Sequence, residues 1–277
     1  MSAAMSPARL VGLELIAEDT EASSEFYAWL VGGASEGDVW DTWQRLSGSG
    51  VRSVRVPEPE GPPPGWIPVF HVDDVRAAQQ RAAERGGQGR DLRGPDGKSR
   101  AYCVDSFGVW TGLSDSANDS ADAIGATNCD YSTADAPAAA GFYAHLLNAR
   151  ADAVVDDPYH FHLIHTGPVE AAGIVSFRGP LDYSRMTKWL VYLAVDDVDR
   201  VAARGIEAGA RIVVPANNTV YNRYAVLEDP FGQLFGLSRP LPPESYGVAH
   251  IRDGERLVSL FDVVHVHAEE VNARYPQ

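Results

Sequence analysis

Two carboxylates, Glu14 and Asp130, are the residues of this sequence whose type and spacing most directly offer chemistry. Each opens a matching segment: Glu14-Leu-Ile-Ala-Glu-Asp19 runs on to Phe26-Tyr27, and Asp130-Tyr-Ser-Thr-Ala-Asp135 runs on to Phe142-Tyr143. Both correspondences are 116 residues apart. Two such carboxylates can act as acid and base when their surroundings split their pKa values. They can equally be bound by loop backbone or an arginine. Histidines form the second candidate cluster. In Tyr159-His160-Phe-His162-Leu-Ile-His165, strand alternation puts His160 and His162 on one face and His165 on the other, which spoils a three-histidine metal site. His265 and His267 share a face with Glu269 in phase, a pair without a third ligand; an edge strand or an oligomer contact explains them better. No GxSxG elbow, P-loop, HExxH or nucleotide fingerprint is present.

The elements that must position these residues repeat. Trp66-Ile-Pro-Val-Phe-His-Val72-Asp-Asp-Val75 matches Trp189-Leu-Val-Tyr-Leu-Ala-Val195-Asp-Asp-Val198 at an offset of 123, and Asp105-Ser-Phe-Gly108 matches Asp229-Pro-Phe-Gly232 at 124. Order is kept and the offset drifts by only eight, so the chain is an internal duplication with a few loop insertions. Each half reads as strand, helix and several strands. Asp19 or Thr20, and Asp135 with Pro137 behind it, open the first helices. The Asp-Asp-Val segments open a second helix in each half. Residues 114–122, rich in Ser, Asp and Ala, read as a linker, and the proline-rich residues 57–65 as a loop.

The chain has 277 residues, is 45% hydrophobic and carries a formal charge of −15. That charge argues against nucleic acid or an anionic membrane surface as partner. No apolar run is long enough to span a bilayer and no leader is visible, so a cytoplasmic location is expected. Cys103 and Cys129 form no CxxC and are expected to be buried free thiols.

The motifs E-L-I-A-E-D…F-Y, W-x5-V-D-D-V and D-x-F-G together resemble the vicinal oxygen chelate superfamily, the glyoxalase/bleomycin resistance proteins, in its tandem two-module form. The resemblance implies an α+β fold of two tandem βαβββ modules forming a pseudo-symmetric cupped sheet. The modules are expected at 9–114 and 125–239, with a linker at 115–124 and an extension at 240–277 that is a candidate homodimer contact.

Family members with chemistry usually hold a divalent ion on His, Glu or Gln side chains. Of the four ligand positions per site, the resemblance places three, at Gly12, Ile67 and Gly112 in the first half and at Asn128, Leu190 and Gly236 in the second, and leaves the one on a middle strand unassigned. Apart from Asn128 these side chains offer no donor, so neither metal nor cofactor is expected. By strand parity the same positions mark the cleft face, which carries Glu14, Ile16, His71, Trp110, Asp130 and Tyr192, whereas Trp66 and Trp189 face the helices. The glycines are expected to leave room for a flat molecule. Glu14, Trp43, His71, Trp110, Asn128, Asp130, His162 and Tyr192 are therefore the expected ligand-binding residues, with Glu14 and Asp130 as candidate catalytic groups. Two functions follow from the resemblance. One is a metal-free binder of a bulky aromatic, cationic natural product, serving antibiotic sequestration or biosynthesis. The other is a lyase, isomerase, cyclase or hydroxylase-like enzyme on the same scaffold.

Overall fold

The structure, a computed structural model, describes residues 9–32, 51–55, 60–93, 99–115, 126–155, 160–166, 169–176, 188–218 and 222–240. In the first half β1 (Leu10–Ile16), α1 (Thr20–Gly32) and β2 (Val51–Arg55) are followed by β3 (Gly65–His71), α2 (Val75–Glu84), β4 (Gln88–Arg93), β5 (Ser99–Val104) and β6 (Trp110–Ser114). In the second, β7 (Ala126–Ser132), α3 (Ala136–Leu146), β8 (Arg150–Val155), β9 (His160–Thr166) and β10 (Val169–Ser176) precede β11 (Lys188–Ala194), α4 (Val198–Glu207), β12 (Arg211–Asn218), β13 (Asn222–Glu228) and β14 (Leu234–Pro240). The linker residues 116–124, Trp43 and the extension beyond Pro240 lie outside the described residues.

Each helix starts at an aspartate. The carboxylates of Asp19, Asp74, Asp135 and Asp197 accept from the backbone N–H three residues on, at 2.9–3.0 Å. This satisfies one of the donors that a helix start leaves unpaired. Within the two expected modules the βαβββ pass therefore occurs twice. In the three passes described whole, the last strand returns to lie parallel beside the first, as a helical crossover requires. Antiparallel pairing of β1 with β3, and of β7 with β11, fuses two passes into one sheet. The order is β2-β1-β3-β6-β5-β4 in the first half and β12-β13-β14-β11-β7-β10-β9-β8 in the second.

One face of each sheet, carrying Leu13, Leu15, Trp66 and Phe70 in the first half and Tyr131, Trp189 and Val191 in the second, joins the helices in a single core that spans both halves. Cys103 and Cys129 are buried in it as free thiols. Polar bonds cross between the halves inside that core. Tyr27 donates to Asp229 Oδ2 at 2.8 Å and accepts from Trp66 Nε1 at 3.0 Å. In the equivalent place Tyr131 and Tyr143 donate to Asp105 Oδ2 at 2.8 and 3.0 Å. Thr111 bridges Tyr143 and the Trp189 indole. The other oxygen of each aspartate holds the D-x-F-G turn: Asp105 Oδ1 accepts from Phe107 and Val109, and Asp229 Oδ1 from Phe231 and Gln233. Gly108 and Gly232 sit at φ +84° and +83°, which the tight turn demands and a side chain would strain. The repeated tyrosine and aspartate motifs thus lock one half to the other. On the surface Arg81 of α2 clamps the Leu146 carbonyl at the end of α3, at 2.8–3.0 Å.

Candidate functional site

The opposite sheet faces form two cups. In the first, Glu14, Val69 and Gly112 stand on adjacent strands, since Glu14 pairs with Ile67 and Val69 with Gly112. Together with Arg100, Tyr102 and Ser114 they line a cleft of about 590 Å³, inside the usual range for small-molecule sites. Glu14 is buried, at 5% exposure. Its Oε2 accepts from Tyr102 at 2.5 Å, and its Oε1 lies 3.5 Å from Arg100 Nε. A carboxylate held this way keeps its orientation and can accept from a donor on a ligand. Apolar walls stand behind it: Ile16, Ile67 and Tyr102 pack with Leu92 and Trp110, and the Trp110 ring meets Tyr102 edge-on with centroids 5.8 Å apart. The rim adds Gln79 and the acidic Asp73, Asp91 and Asp115. His71 follows Val69 on the same face and pairs in register with Ser114; it is buried, and its Nδ1 has no partner among the described residues.

The second cup is built differently. Leu190, Tyr192 and Val226 form its floor, with Tyr224 and Leu234 against them. Asp130 lies at the centre and is hydrogen-bonded by Tyr192. Burial pushes its carboxyl up to about 6, opposed by the Tyr192 bond and helped by the negative Glu170. Glu170 is itself raised, by burial, while His165 opposes that shift. The Asp130 carboxylate fills the space above Gly173, where any Cβ would overlap it.

Strand parity put Glu14, Ile16, Ile67, Val69, Asp130, Leu190, Tyr192 and Trp110 on the cup faces and Trp66 and Trp189 in the helix-side core, and they stand there. Asn128 pairs with Tyr192 in the β7–β11 ladder. His162 is not brought to the second cup. It shares its strand face with Ile164, which is fully buried on the helix side, whereas Phe161 reaches toward Gly173 and Asp130. His165 faces Glu170 across the ladder and bonds Asp152 at 2.7 Å. The space expected over the ligand-position glycines is also filled. A Cβ on Gly112 would meet Val69 Cγ2 at 2.8 Å, and one on Gly236 would fall inside the Tyr192 ring. Val69 and Tyr192 come from the parallel neighbour strand in register with each glycine, and they lean into the gap that the missing side chain leaves.

Arg100 and Tyr102 were not singled out from sequence. Their signal is the alternation Arg100-Ala-Tyr102 on β5, a strand to which no ligand position was assigned. The aligned ligand positions hold glycine, isoleucine and leucine plus one amide, and among the described residues no three His, Cys, Asp or Glu side chains converge. Nor, among the described residues, is any helix long and apolar enough to cross a membrane.

Comparison with known proteins agrees with this geometry. Residues 125–237 match the family described as Glyoxalase/Bleomycin resistance protein/Dioxygenase superfamily. Proteins of Mycobacterium bovis and Mycobacterium tuberculosis named "Putative glyoxylase CFP32" are each 27% identical over 257 residues, covering 84% of this chain and 95% of the relative. Among solved structures, the halotolerant catechol dioxygenase BphC superposes with a TM-score of 0.51 at 13% identity, over 90% of this chain and 94% of that one. The 2,2',3-trihydroxybiphenyl 1,2-dioxygenase of Sphingomonas wittichii RW1 gives 0.53 at 14%, over 92% and 99%. At such identities the likeness is one of fold.

Proposed function

We propose that this chain, whose residues 125–237 match the glyoxalase/bleomycin resistance protein/dioxygenase superfamily, binds one small organic molecule in the cup of its first half, without a metal at the aligned ligand positions. The observation that carries this reading is the cleft of about 590 Å³ built over the buried, oriented Glu14 carboxylate. Lining acids outnumber the two arginines, Arg76 and Arg100, which favours a ligand with a cationic or hydroxyl group. The Tyr102 ring with Val69 and Leu113 in the lining suits an aromatic body. A natural product with several polar substituents combines both, as sequestration or biosynthetic handling would require. Such a ligand is more polar than the flat aromatic suggested by glycines alone.

Titration by tryptophan fluorescence against a panel of polar aromatic compounds tests this. Binding should survive chelator, and Glu14→Gln should weaken a cationic member about tenfold while sparing its neutral analogue, the effect of losing one charge-assisted hydrogen bond. One equivalent of divalent metal in the purified protein, with binding lost on its removal, would overturn the reading.

A second reading has one observation in its favour. Asp130 titrates at about 6, close to working pH, as a general acid or base should. An enzyme using it has to move Tyr192 first. Turnover of a bound compound, lost in Asp130→Asn, would favour that reading.

A further inference from the structure

The two cups exchange one pair of residues across the same glycine. In the first, Gly112 lies between Val69 on β3 and Tyr102 on β5. In the second, Gly236 lies between Tyr192 on β11 and Val226 on β13. The repeat offsets of 123 and 124 make Tyr192 the counterpart of Val69 and Val226 the counterpart of Tyr102. Each cup therefore has one valine, one tyrosine and one carboxylate that takes the tyrosine's hydrogen bond, Glu14 from Tyr102 and Asp130 from Tyr192. The side of approach decides the outcome. Tyr102 comes from the antiparallel neighbour and packs into the wall with Ile16 and Ile67, leaving the cleft open. Tyr192 comes from the parallel neighbour and lies directly over Gly236. Its ring is only 8% exposed, enclosed by Leu190 and Val226 and met edge-on by Tyr224 at 6.3 Å.

We propose that the second cup is closed by an internal ligand, the phenol of Tyr192, which occupies the place a small phenol would take with its hydroxyl on Asp130. The glycine at 236 is what makes the fit feasible, because any side chain there would collide with the ring. The chain then has one open cup and one occupied by its own side chain. That count rests on the reading of the first cup; the closure of the second does not.

The full chain with Tyr192→Val, which gives the second cup the first cup's valine, tests the closure with p-cresol as probe and toluene as control. By calorimetry the variant should take up one more equivalent of p-cresol than the parent protein. It should prefer p-cresol to toluene about tenfold, a preference lost when Asp130→Asn is added. Tyr192→Ala should behave alike with a looser fit. If either variant fails to fold, millimolar p-cresol should restore its cooperative melt. A folded variant that binds no more p-cresol than the parent overturns the proposal, as does the absence of rescue in both. Uptake by the parent protein reports on the first cup alone, so failure of that reading is distinguishable.

Discussion

Asp105→Ala is expected to bring the protein close to unfolding, with a loss of about 4 kcal/mol or more. The carboxylate accepts four hydrogen bonds, from the buried hydroxyls of Tyr131 and Tyr143 and from the Phe107 and Val109 amides. Alanine leaves both hydroxyls without that acceptor in a core that water does not reach, and each such orphan costs about 1–3 kcal/mol. It also frees the turn that Gly108 closes. A domain has only about 5–15 kcal/mol in all. Tyr131→Phe and Tyr143→Phe remove one donor each and should cost about 1 kcal/mol apiece. Asp105→Asn keeps one acceptor oxygen and should fall between. Asp229→Ala should cost less than Asp105→Ala, because among the described residues only Tyr27 reaches Asp229 from the other half. Urea denaturation of the five variants ranks them. Equal midpoints for Asp105→Ala and the parent protein would mean that the halves are not held through this carboxylate.

That carboxylate also marks where reading the sequence stopped short. The D-x-F-G motif was legible as a repeat, and in both copies it folds as a turn held by one aspartate oxygen. Nothing local shows that the second oxygen reaches 26 and 38 residues along the chain to Tyr131 and Tyr143, or 202 residues back to Tyr27. The faces of the strands were legible because their period is two and one aligned residue fixes the rest. Glu14, Val69 and Tyr192 therefore stand where parity put them. Parity names a face but not what a side chain does on it. Arg100 and Tyr102 lie on β5, which carries no ligand-position marker, and they make the partners of Glu14. Whether a glycine leaves a hole depends on its neighbour across the ladder. Val69 and Tyr192 differ in size by an aromatic ring, and that difference separates an open cup from a filled one. His162 fails for another reason. Its strand has no ligand-position marker, and its parity with Ile164 assigns it to the helix side.

Asp130→Asn is expected to stabilise the protein at neutral pH and to do nothing of the kind near pH 3. In the folded chain Asp130 titrates at about 6, against 3.8 for an ordinary aspartate, because burial penalises its charged form. Between those two values the folded state holds a proton that the unfolded chain has lost. Stability attributable to this group is therefore fully present below about pH 4, falls as pH rises through the window, and stays low above 6. A shift of this size corresponds to about 3 kcal/mol. Asparagine carries no charge to desolvate and still offers Tyr192 a carbonyl oxygen. The variant should gain up to about 3 kcal/mol over the parent at pH 7.5, only about 1 kcal/mol at pH 4.5, and converge with it near pH 3. The other carboxylates titrate alike in both proteins, so the difference between their urea midpoints isolates this one. Glu170 is the control, since its negative charge helps hold Asp130 up. Glu170→Gln should lower the midpoint of the Asp130 titration, followed by the carbonyl shift of a labelled aspartate. A stability difference that stays constant from pH 4.5 to 7.5 would show that the Asp130 carboxyl is solvated in the folded chain and that Tyr192 does not seal the second cup.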